Sequence, residues 1–509
     1  MKIFLVNPPK FYWPFINEYD NFLLPQSLVY LGAVLRQAGH DVRIIDAMPM
    51  KMGWRTLADT IRTERPDIVG IGESHALYAY ESEKLIDLVK GIDPAIVVIA
   101  GGAHFTNLYE YYLNGSHDID FIVRGEGEQT IVELVGALAA GRDGFESIDG
   151  LAFKREGTIV VTPARQLIAD LNTLPMPAYD LVPMGSYGNS RYLFSPGGTT
   201  IHHSRGCTSN CSFCVWWTQM ADRIGRGDNE NLKPRWRTKS VDRTIEEILE
   251  LYHRYRKRAL VFVDDSWNID PKWEDRFADE LIKQGLKINW FAFMRADLLL
   301  RDEKLGVLEK LVRSGMSHVC IGVERAENNE LKQFGKPFYT EDTAVKAFDI
   351  LRKKYPSVFL QATFIVGVYD ETEQSMRAQL EFAKRLKPDY PAFHPLTPVP
   401  GTRLYNEVIG KGLLEIKDFS KFDWLTPVMP SRHLSRERIE ELVIELNREF
   451  VNIGWLVRGL FSRYPYKRRM YIWWFLVLVK VLWSRFISKF RWINPREITG
   501  LVKPDWYDK

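Results

Sequence analysis

The chain has 509 residues, of which 46% are hydrophobic and 26% charged, with a formal net charge of +3 at pH 7. This length predicts more than one domain, and the composition is that of a globular protein with a sizeable core. The small net charge gives no indication of nucleic-acid binding. Four cysteines exclude a disulfide framework, and MKIFLVNPPK is no secretory signal, so we expect a cytoplasmic protein whose clustered thiols form a metal or redox site.

The first 140 residues alternate short apolar runs with amphipathic stretches. The apolar runs predict buried strands at 2–9, 41–47, 67–73, 95–102 and 120–128. Helices are expected between them, near 26–38, 54–64, 79–91 and 129–140. Strands that alternate with helices form a parallel sheet, so residues 1–140 are predicted to be a Rossmann-like, doubly wound α/β domain.

Four turns that follow these strands are rich in glycine and polar residues. In doubly wound sheets, ligands bind at the carboxyl ends of the strands, and glycine lets the backbone approach them closely. The turns therefore predict a nucleotide-like or cofactor site. Its candidate residues are Pro9, Glu73, Ser74, His75, Gly101, Gly102, His104, Gly125, Glu126 and Gly127.

Residues 141–195 are expected to form a linker, because LNTLPMPAYDLVPMGSY (171–187) is punctuated by prolines. Strand–helix alternation resumes over residues 196–415. Apolar runs there predict six strands, at 199–204, 259–263, 289–293, 318–323, 359–367 and 391–396. Six such units suit an incomplete (β/α)6 barrel with its chemistry at the strand ends.

Three of the four cysteines, Cys207, Cys211 and Cys214, lie in the segment RGCTSNCSFCVWW (205–217). Thiolates bind zinc, copper(I) and iron–sulfur clusters. The fourth cysteine, Cys320, lies in an apolar strand and is expected to be a buried small hydrophobe. A zinc site that adds His202 or His203 remains an alternative. Trp216 and Trp217 either wall a substrate pocket or pack under the loop.

The CxxxCxxC spacing, in a loop after the first predicted barrel strand, resembles the signature of the radical S-adenosylmethionine (SAM) enzymes. In that superfamily a [4Fe-4S] cluster with one open iron cleaves SAM to a 5′-deoxyadenosyl radical, which abstracts hydrogen from carbon. CSFC, VFVDDSW (261–267), FMRAD, GVERA (322–326) and HPLTPVPGTRLY (394–405) match other SAM-facing segments. The resemblance implies SAM contacts at Phe213, Asp264, Asp265, Arg295, Glu324 and His394, with solvated strand ends or a structural ion pair as the alternative.

A Rossmann-like domain before such a barrel resembles the cobalamin-binding subclass, whose recurring turns NPP, GGAH and RGEGE match. The resemblance implies that the N-terminal turns bind cobalamin. The chain lacks the DxHxxG motif of a histidine lower ligand. We therefore expect base-off cobalamin, with His75 and His104 lining the pocket or making hydrogen bonds. A domain retained without cobalamin is the alternative.

Segment order and the stretch DFSKFDWLTPVM (418–429) most resemble the anaerobic magnesium-protoporphyrin IX monomethyl ester oxidative cyclase group. This implies radical oxidation of a hydrophobic substrate, such as a tetrapyrrole or a lipid, with a flavodoxin- or ferredoxin-like external electron donor. Methyl transfer to carbon, as in other members of the subclass, remains open. So does a non-catalytic cobalamin or iron–sulfur sensor.

Residues 416–509 are predicted to form a helical tail. Between Phe450 and Arg496 the chain has ten Lys or Arg residues, five tryptophans and no Asp or Glu. Lys480, Arg485 and Lys489 are spaced to share one helical face. The segment 463–496 is therefore predicted to lie on the inner face of a membrane as an interfacial amphipathic helix. A helix packed on the barrel is the alternative; RNA binding is disfavoured because residues 1–206 lack the cysteines of the tRNA methylthiotransferases.

Overall fold

The computed structural model describes residues 1–11, 23–188, 197–224, 231–336, 339–491 and 502–509. From residue 477 to 491 it describes only the side chains of Val479, Trp483 and Phe486. The end of the predicted linker (189–195), residues 492–496 of the predicted membrane segment, and the side chains of Lys480, Arg485 and Lys489 lie outside the described residues.

The N-terminal domain is built on a seven-stranded sheet in the order β2-β1-β3-β4-β5-β6-β7. Its strands are β1 Lys2–Asn7, β2 Asp41–Asp46, β3 Ile68–Gly72, β4 Val97–Gly101, β5 Phe121–Val123, β6 Leu151–Arg155 and β7 Thr158–Val161. Its helices are α1 Gln26–Gln37, α2 Ala47–Met50, α3 Trp54–Glu64, α4 Ala79–Ile92, α5 Ala103–Asn107, α6 Tyr109–Asn114 and α7 Glu128–Ala139. The first five strands are parallel, which confirms the predicted Rossmann-like fold.

The predicted linker is wrong at its start, because residues 151–161 form an antiparallel hairpin that extends this sheet. Glu156 and Gly157 form its two-residue turn, and both have positive φ angles, of 50° and 81°. Such turns match the twist of paired strands. The Glu-Gly pair between two apolar runs was the overlooked signal.

Strand order reverses beside β1, since β2 pairs with one side of it and β3 with the other. In open α/β sheets this is the place where ligands bind, at the carboxyl ends of the strands. The turns after β3, β4 and β5 lie at this edge. The sheet thus brings together three turns that are spread over about fifty residues of the sequence.

The second domain is an incomplete barrel, as predicted, of six parallel strands in the order β8-β13-β14-β15-β16-β17. These strands are β8 Gly198–Ile201, β13 Ala259–Phe262, β14 Asn289–Met294, β15 Met316–Glu324, β16 Phe359–Val366 and β17 Tyr390–Pro395. The helices are α8 Val215–Gln219, α9 Val241–His253, α10 Pro271–Lys283, α11 Ala296–Lys304, α12 Val307–Arg313, α13 Asn328–Gln333, α14 Glu341–Lys354, α15 Glu373–Leu386 and α16 Arg403–Gly410.

Short strands between β8 and α9 carry the cysteine loop. They are β9 Ser204–Gly206, β10 Asp222–Ile224, β11 Asn231–Lys233 and β12 Trp236–Thr238. The predicted strand 199–204 is therefore divided, and its second part, β9, pairs antiparallel with β12. This pairing turns the chain so that Cys207 follows directly on an anchored strand.

The C-terminal residues form three helices, α17 Arg436–Phe450, α18 Ile453–Leu460 and α19 Pro465–Arg491. The chain then returns to the N-terminal domain, where the backbone N–H of Trp54 donates to the carbonyl of Tyr507 at 2.8 Å. The ring of Tyr507 stacks on Phe11 at 5.0 Å. Within the described residues, no helix has both the length and the apolar character to cross a membrane.

Candidate functional site

A cavity of about 1160 Å³ with mostly apolar walls lies between the two domains. Most of the predicted site residues line it. From the N-terminal domain these are Ser74, His75, Gly101, Gly102, Gly125, Glu126 and Gly127. From the barrel they are Cys207, Cys211, Phe213, Cys214, Asp264, Asp265, Arg295, Glu324 and His394. Pro9, Glu73 and His104 are not among the lining residues.

The cysteine loop is held in place by backbone contacts on both sides. Gly206 precedes the first cysteine with φ +81°, and a Cβ there would lie 2.0 Å from the carbonyl oxygen of Arg235. No residue other than glycine fits without moving that strand. The Trp217 indole N–H donates to the carbonyl of Cys211 at 2.9 Å, so Trp217 packs under the loop. The positions of the thiols are thus set by groups outside the loop.

The donor set suits an iron–sulfur cluster. The three thiols of one loop line the cavity, and the fourth, Cys320, also lines it but lies on β15, buried among Ala259, Val261 and Phe291. Soft thiolates are the ligands that such clusters take in proteins. With three thiols in reach, one iron of a four-iron cluster is left for another ligand.

The histidines of the zinc alternative are engaged elsewhere. The ring of His203 lies 4.0 Å from that of Trp273, and its Nδ1 lies 2.7 Å from Asp264. His202 is buried, with its ring 5.0 Å from that of Tyr30. Their contacts are those of structural histidines.

The two adjacent aspartates predicted to contact SAM differ in their surroundings. Asp264 accepts hydrogen bonds from the backbone N–H groups of His203 and Ser204, which holds the bend between β8 and β9. Burial and the neighbouring Asp264 raise the pKa of Asp265 to about 7. Asp265 Oδ2 and Ser266 Oγ are buried, line the cavity and have no hydrogen-bond partner within the described part of the chain. These two atoms suit a polar ligand such as SAM.

Arg295 and Glu324 are both paired with neighbouring groups. The Arg295 guanidinium donates to Asp297 and to the hydroxyls of Thr208 and Ser209 in the cysteine loop, at 3.1 and 3.0 Å. Glu324 accepts from Lys336 at 2.7 Å and has φ +64°, a left-handed conformation that costs a residue with a Cβ. The ion pair foreseen for Arg295 is present, with the cysteine loop as its second partner.

The glycine turns of the N-terminal domain bring the backbone close to the cavity. Gly102 has φ +90°, and a Cβ there would lie 2.4 Å from the carbonyl oxygen of Glu73. Glu73 pairs with Lys10 at 2.6 Å and accepts from the backbone N–H of His75 at 2.9 Å. Burial alone raises the pKa of Glu73, but Lys10 and His75 lower it below its ordinary value. Glu73 thus shapes the turn from behind and does not reach the cavity.

His104 is buried, and its Nε2 lies 2.6 Å from the hydroxyl of Tyr112. Burial lowers the pKa of His104 to about 4, which keeps the imidazole neutral. Of the two histidines predicted for this site, only His75 faces the cavity. The expectation that His104 makes hydrogen bonds agrees with this position, and the expectation that it lines the pocket does not.

The RGEGE turn carries a buried ion cluster that joins the domains. Arg205 donates to Glu126 at 2.9 Å and to Glu128 at 2.6 Å, and Arg237 donates to Glu126 at 2.7 Å. We call these four residues the domain latch. Since Arg205 is two residues before Cys207, the latch ties the cysteine loop to the turn. The Glu126 carboxylate is committed to it, which leaves the backbone of this turn to contact a cofactor.

Two tryptophans complete the wall of the cavity. The sequence left the position of Trp216 undecided, and Trp424 was not among the predicted site residues. Trp216 and Trp424 both line the cavity, and His75 lies edge-on between them, with ring centroids 5.0 and 5.3 Å away. The carbonyl of Trp424 also contacts Nδ1 of His394 at 3.2 Å. These rings come from three parts of the chain, so no local pattern predicts their contact. We call Trp216, His75 and Trp424 the aromatic wall.

Residues 12–135 match the family model of the B12 binding domain, and residues 201–383 match that of the radical SAM superfamily. An uncharacterised methyltransferase of Pyrococcus horikoshii is 33% identical over 422 residues, which cover 82% of this chain and 86% of that protein. The chain belongs to the cobalamin-binding radical SAM enzymes. Its cofactors are a [4Fe-4S] cluster, SAM and cobalamin.

Other relatives of this cobalamin-binding radical SAM enzyme differ in activity. The anaerobic magnesium-protoporphyrin IX monomethyl ester cyclase of Rubrivivax gelatinosus is 29% identical over 88% of this chain and 77% of its own length. Among solved structures, the cobalamin-dependent SAM radical enzyme OxsB, with aqua-cobalamin and SAM bound, superposes with a TM-score of 0.70. The superposition covers 96% of this chain and 74% of the OxsB chain. The two sequences are 17% identical, so the likeness is one of fold. The roles of single side chains stay predictions.

Proposed function

We propose that this enzyme transfers a methyl group to an unactivated carbon of a hydrophobic small molecule. The observation that carries the proposal is the shared cavity, into which the glycine turns of the N-terminal domain and the three cysteines open together. A substrate in that cavity is within reach of both cofactors. The relative in Pyrococcus horikoshii, a methyltransferase by name, supports the same reaction class.

The protein's part in such a reaction is to bind, orient and exclude water. When bound, the cluster and SAM supply a carbon radical that removes a hydrogen atom, and cobalamin supplies the methyl group. We assign Cys207, Cys211 and Cys214 to the cluster. We assign Phe213, Asp264, Asp265, Arg295, Glu324 and His394 to the surroundings of SAM.

Cobalamin is assigned to the glycine turns, without a histidine ligand to cobalt. Gly101, Gly102, Gly125 and Gly127 offer backbone to the cofactor, and Ser74 and His75 complete the edge of the site. His104 contacts Tyr112 instead of the cavity, which supports base-off binding. Pro9, Glu73 and Glu126 are assigned to the shape of the turns.

A hydrophobic substrate, such as a tetrapyrrole or a lipid, suits the aromatic wall. Aromatic faces and edges bind apolar groups through area and shape, with few polar contacts to satisfy. Phe293 and Leu425 add apolar surface to the same cavity. Radical SAM enzymes take their electron from an external donor, and we propose a flavodoxin- or ferredoxin-like protein for this role.

The second candidate is an oxidative cyclisation, which the relative in Rubrivivax gelatinosus favours. The resemblance over residues 418–429 supports it as well, because this segment contributes Trp424 and Leu425 to the cavity. Cyclisation removes hydrogen atoms from the substrate without adding carbon. The fate of the SAM methyl group therefore separates the two reactions.

The test incubates reconstituted enzyme and SAM, labelled in its methyl group, with extracted lipids and pigments under reducing, anaerobic conditions. Methyl transfer predicts label in a product, together with S-adenosylhomocysteine and 5′-deoxyadenosine. An unlabelled product with 5′-deoxyadenosine alone would favour cyclisation and overturn the first proposal.

Two cysteine variants serve as matched controls for this assay. Cys211→Ala removes one of the three thiols in the cavity and is expected to abolish SAM cleavage. Cys320→Ala alters a residue of β15 that also lines the cavity but lies outside the three-cysteine loop, and this variant is expected to retain SAM cleavage. Wild-type protein that never cleaves SAM, with a full cluster and every substrate fraction, would support a sensor instead.

A further inference from the structure

We propose that helices α18 and α19 form a docking surface for an anionic lipid membrane. The surface consists of an exposed apolar stripe on α19 together with exposed apolar and basic residues on and after α18. We call Ile472, Phe475, Leu476, Val479, Trp483 and Phe486 the C-terminal stripe. The inference concerns binding and does not depend on which reaction the enzyme catalyses.

The first turns of α19 are packed on the protein, as the alternative to membrane binding foresaw. Tyr466, Met470 and Tyr471 are buried, and the ring of Trp474 stacks on Tyr390 of β17 at 4.1 Å. Lys467 pairs with Asp389 at 2.7 Å. The beginning of the helix is therefore rigidly attached to the barrel.

The C-terminal stripe begins where this packing ends. Apart from the neighbours Phe475 and Leu476, successive residues of the stripe are three or four positions apart, which places them along one face of the helix. Their exposure runs from 38% for Phe475 to 62% for Trp483. An exposed row of large apolar side chains along a helix is uncommon in soluble proteins and marks an interaction site.

Helix α18 presents a second group of exposed apolar residues. Ile453 is 80% exposed, Val457 47% and Phe461, just after the helix, 84%. They are four residues apart and so share a helical face. Within the described residues, Ile453 and Phe461 are the most exposed of the large apolar side chains.

Charge decides between a lipid surface and a second copy of the chain. Between Phe450 and Arg496 there are ten Lys or Arg residues and no Asp or Glu. Arg458, Arg463 and Arg468 are exposed. Two copies facing each other would bring these cations together, whereas anionic headgroups attract them. Trp483, which is 62% exposed, suits the headgroup region.

The test measures co-sedimentation of full-length holoenzyme with vesicles of phosphatidylcholine, with and without phosphatidylglycerol. We expect binding to the anionic vesicles that weakens as salt rises. The variant V479S/W483S/F486S is expected to lower the partition coefficient by about tenfold or more, since three apolar side chains no longer enter the lipid. Because these three positions are exposed, the substitutions should not disturb folding.

The matched control is L305S/I409S, which alters two apolar residues of the barrel that are 59% and 45% exposed. It is expected to bind vesicles like the wild type. Equal binding by the stripe variant and the wild type would overturn the proposal. Wild-type protein that does not bind anionic vesicles would also overturn it. So would light scattering that shows a dimer of the wild type and a monomer of the stripe variant.

Discussion

At Trp424 the backbone has φ 58°, a left-handed conformation that is unusual for a bulky residue and costs about 1–3 kcal/mol. The strain places the indole edge-on to His75, at the wall of the cavity. Asp423 supports this geometry by accepting from the backbone N–H groups of Leu425 and Thr426. Strain that the neighbouring residues maintain at a cavity wall indicates a role in positioning the substrate.

Trp424→Ala is expected to separate SAM cleavage from product formation. We expect SAM binding to depend on the aromatic wall less than substrate binding does. A loosely held substrate misses the radical, because small displacements cost large factors in rate. We expect 5′-deoxyadenosine to form while product per 5′-deoxyadenosine falls about tenfold. Both compounds are quantified by mass spectrometry.

Trp424→Phe keeps an aromatic ring and should retain most of the product yield. Tyr369→Ala, an exposed aromatic residue away from the cavity, is the matched control. An unchanged ratio of product to 5′-deoxyadenosine in Trp424→Ala would remove Trp424 from substrate positioning.

Asp46, at the end of β2, has a buried carboxyl group whose ionisation lowers the stability of the folded protein as pH rises. It accepts from Tyr187 at 2.7 Å and from Asn7 at 2.8 Å, yet burial raises its pKa from 3.8 to about 6. The folded state therefore keeps a proton that the unfolded chain releases. The stability contribution is full below about pH 4 and is lost as pH rises to about 6, by about 3 kcal/mol in all.

Asp46→Asn is expected to abolish this slope, because the amide has no charge to bury. Relative to the wild type, the variant should gain stability as pH rises from 5 to 7, measured by urea unfolding. Asp41→Asn, at the exposed start of the same strand, is the control. Parallel pH profiles for Asp46→Asn and the wild type would contradict the raised pKa.

At the scale of the elements, the domain latch holds the cysteine loop against the turn after β5. Arg205, Glu126 and Glu128 are each at most 9% exposed. A buried ion pair adds little to stability by itself, but removing one partner leaves an uncompensated buried charge. We therefore expect the two domains to keep their alignment only when the latch is complete.

Arg205→Met is expected to destabilise the folded protein by about 3–5 kcal/mol, because Glu128 loses its ion-pair partner and Glu126 keeps only Arg237. The control Arg36→Met breaks a surface pair with Asp180 and should cost at most about 1 kcal/mol. Urea unfolding followed by tryptophan fluorescence compares them. The double variant R205M/E128Q, which keeps the pair of Glu126 with Arg237, should recover part of the loss. Equal effects of Arg205→Met and Arg36→Met would refute the latch.

For the whole molecule, the C-terminal residues connect the last helix to the first domain. A Cβ on Gly53 would lie 2.1 Å from the carbonyl oxygen of Trp506 and 2.2 Å from that of Lys509. The segment 502–509 thus depends on the absence of a side chain at Gly53. The start of α19 is attached to the barrel, and the segment 502–509 is attached to the N-terminal domain.

Gly53→Ala is expected to displace this segment, at a cost of about 1–3 kcal/mol. Hydrogen exchange of the peptide 502–509 should become faster, while the barrel peptides keep their rates. Gly136→Ala is the matched control, since nothing lies within 4 Å of an added Cβ in that helix. Unchanged exchange in Gly53→Ala would mean that the segment is not held there.

The sequence by itself indicated two α/β units through the period of apolar residues and a three-cysteine motif through local spacing. The cofactors followed from the resemblance of that motif and of the N-terminal turns to a known family. Cys207, Cys211 and Cys214 are a few residues apart, and each predicted turn directly follows its strand. The hairpin at 151–161 was also readable, from its Glu-Gly turn.

Only the tertiary structure decided which of these residues share a chamber and which support it from behind. Glu73 pairs with Lys10, His104 contacts Tyr112, and Glu126 pairs with Arg205. His104 and Tyr112 are eight residues apart, but their contact depends on how α5 and α6 pack. Glu73 and Lys10 are 63 residues apart and Glu126 and Arg205 are 79 apart, and the second contact forms only where the two domains dock. The aromatic wall has the same origin, since packing between domains leaves no periodic trace in the sequence.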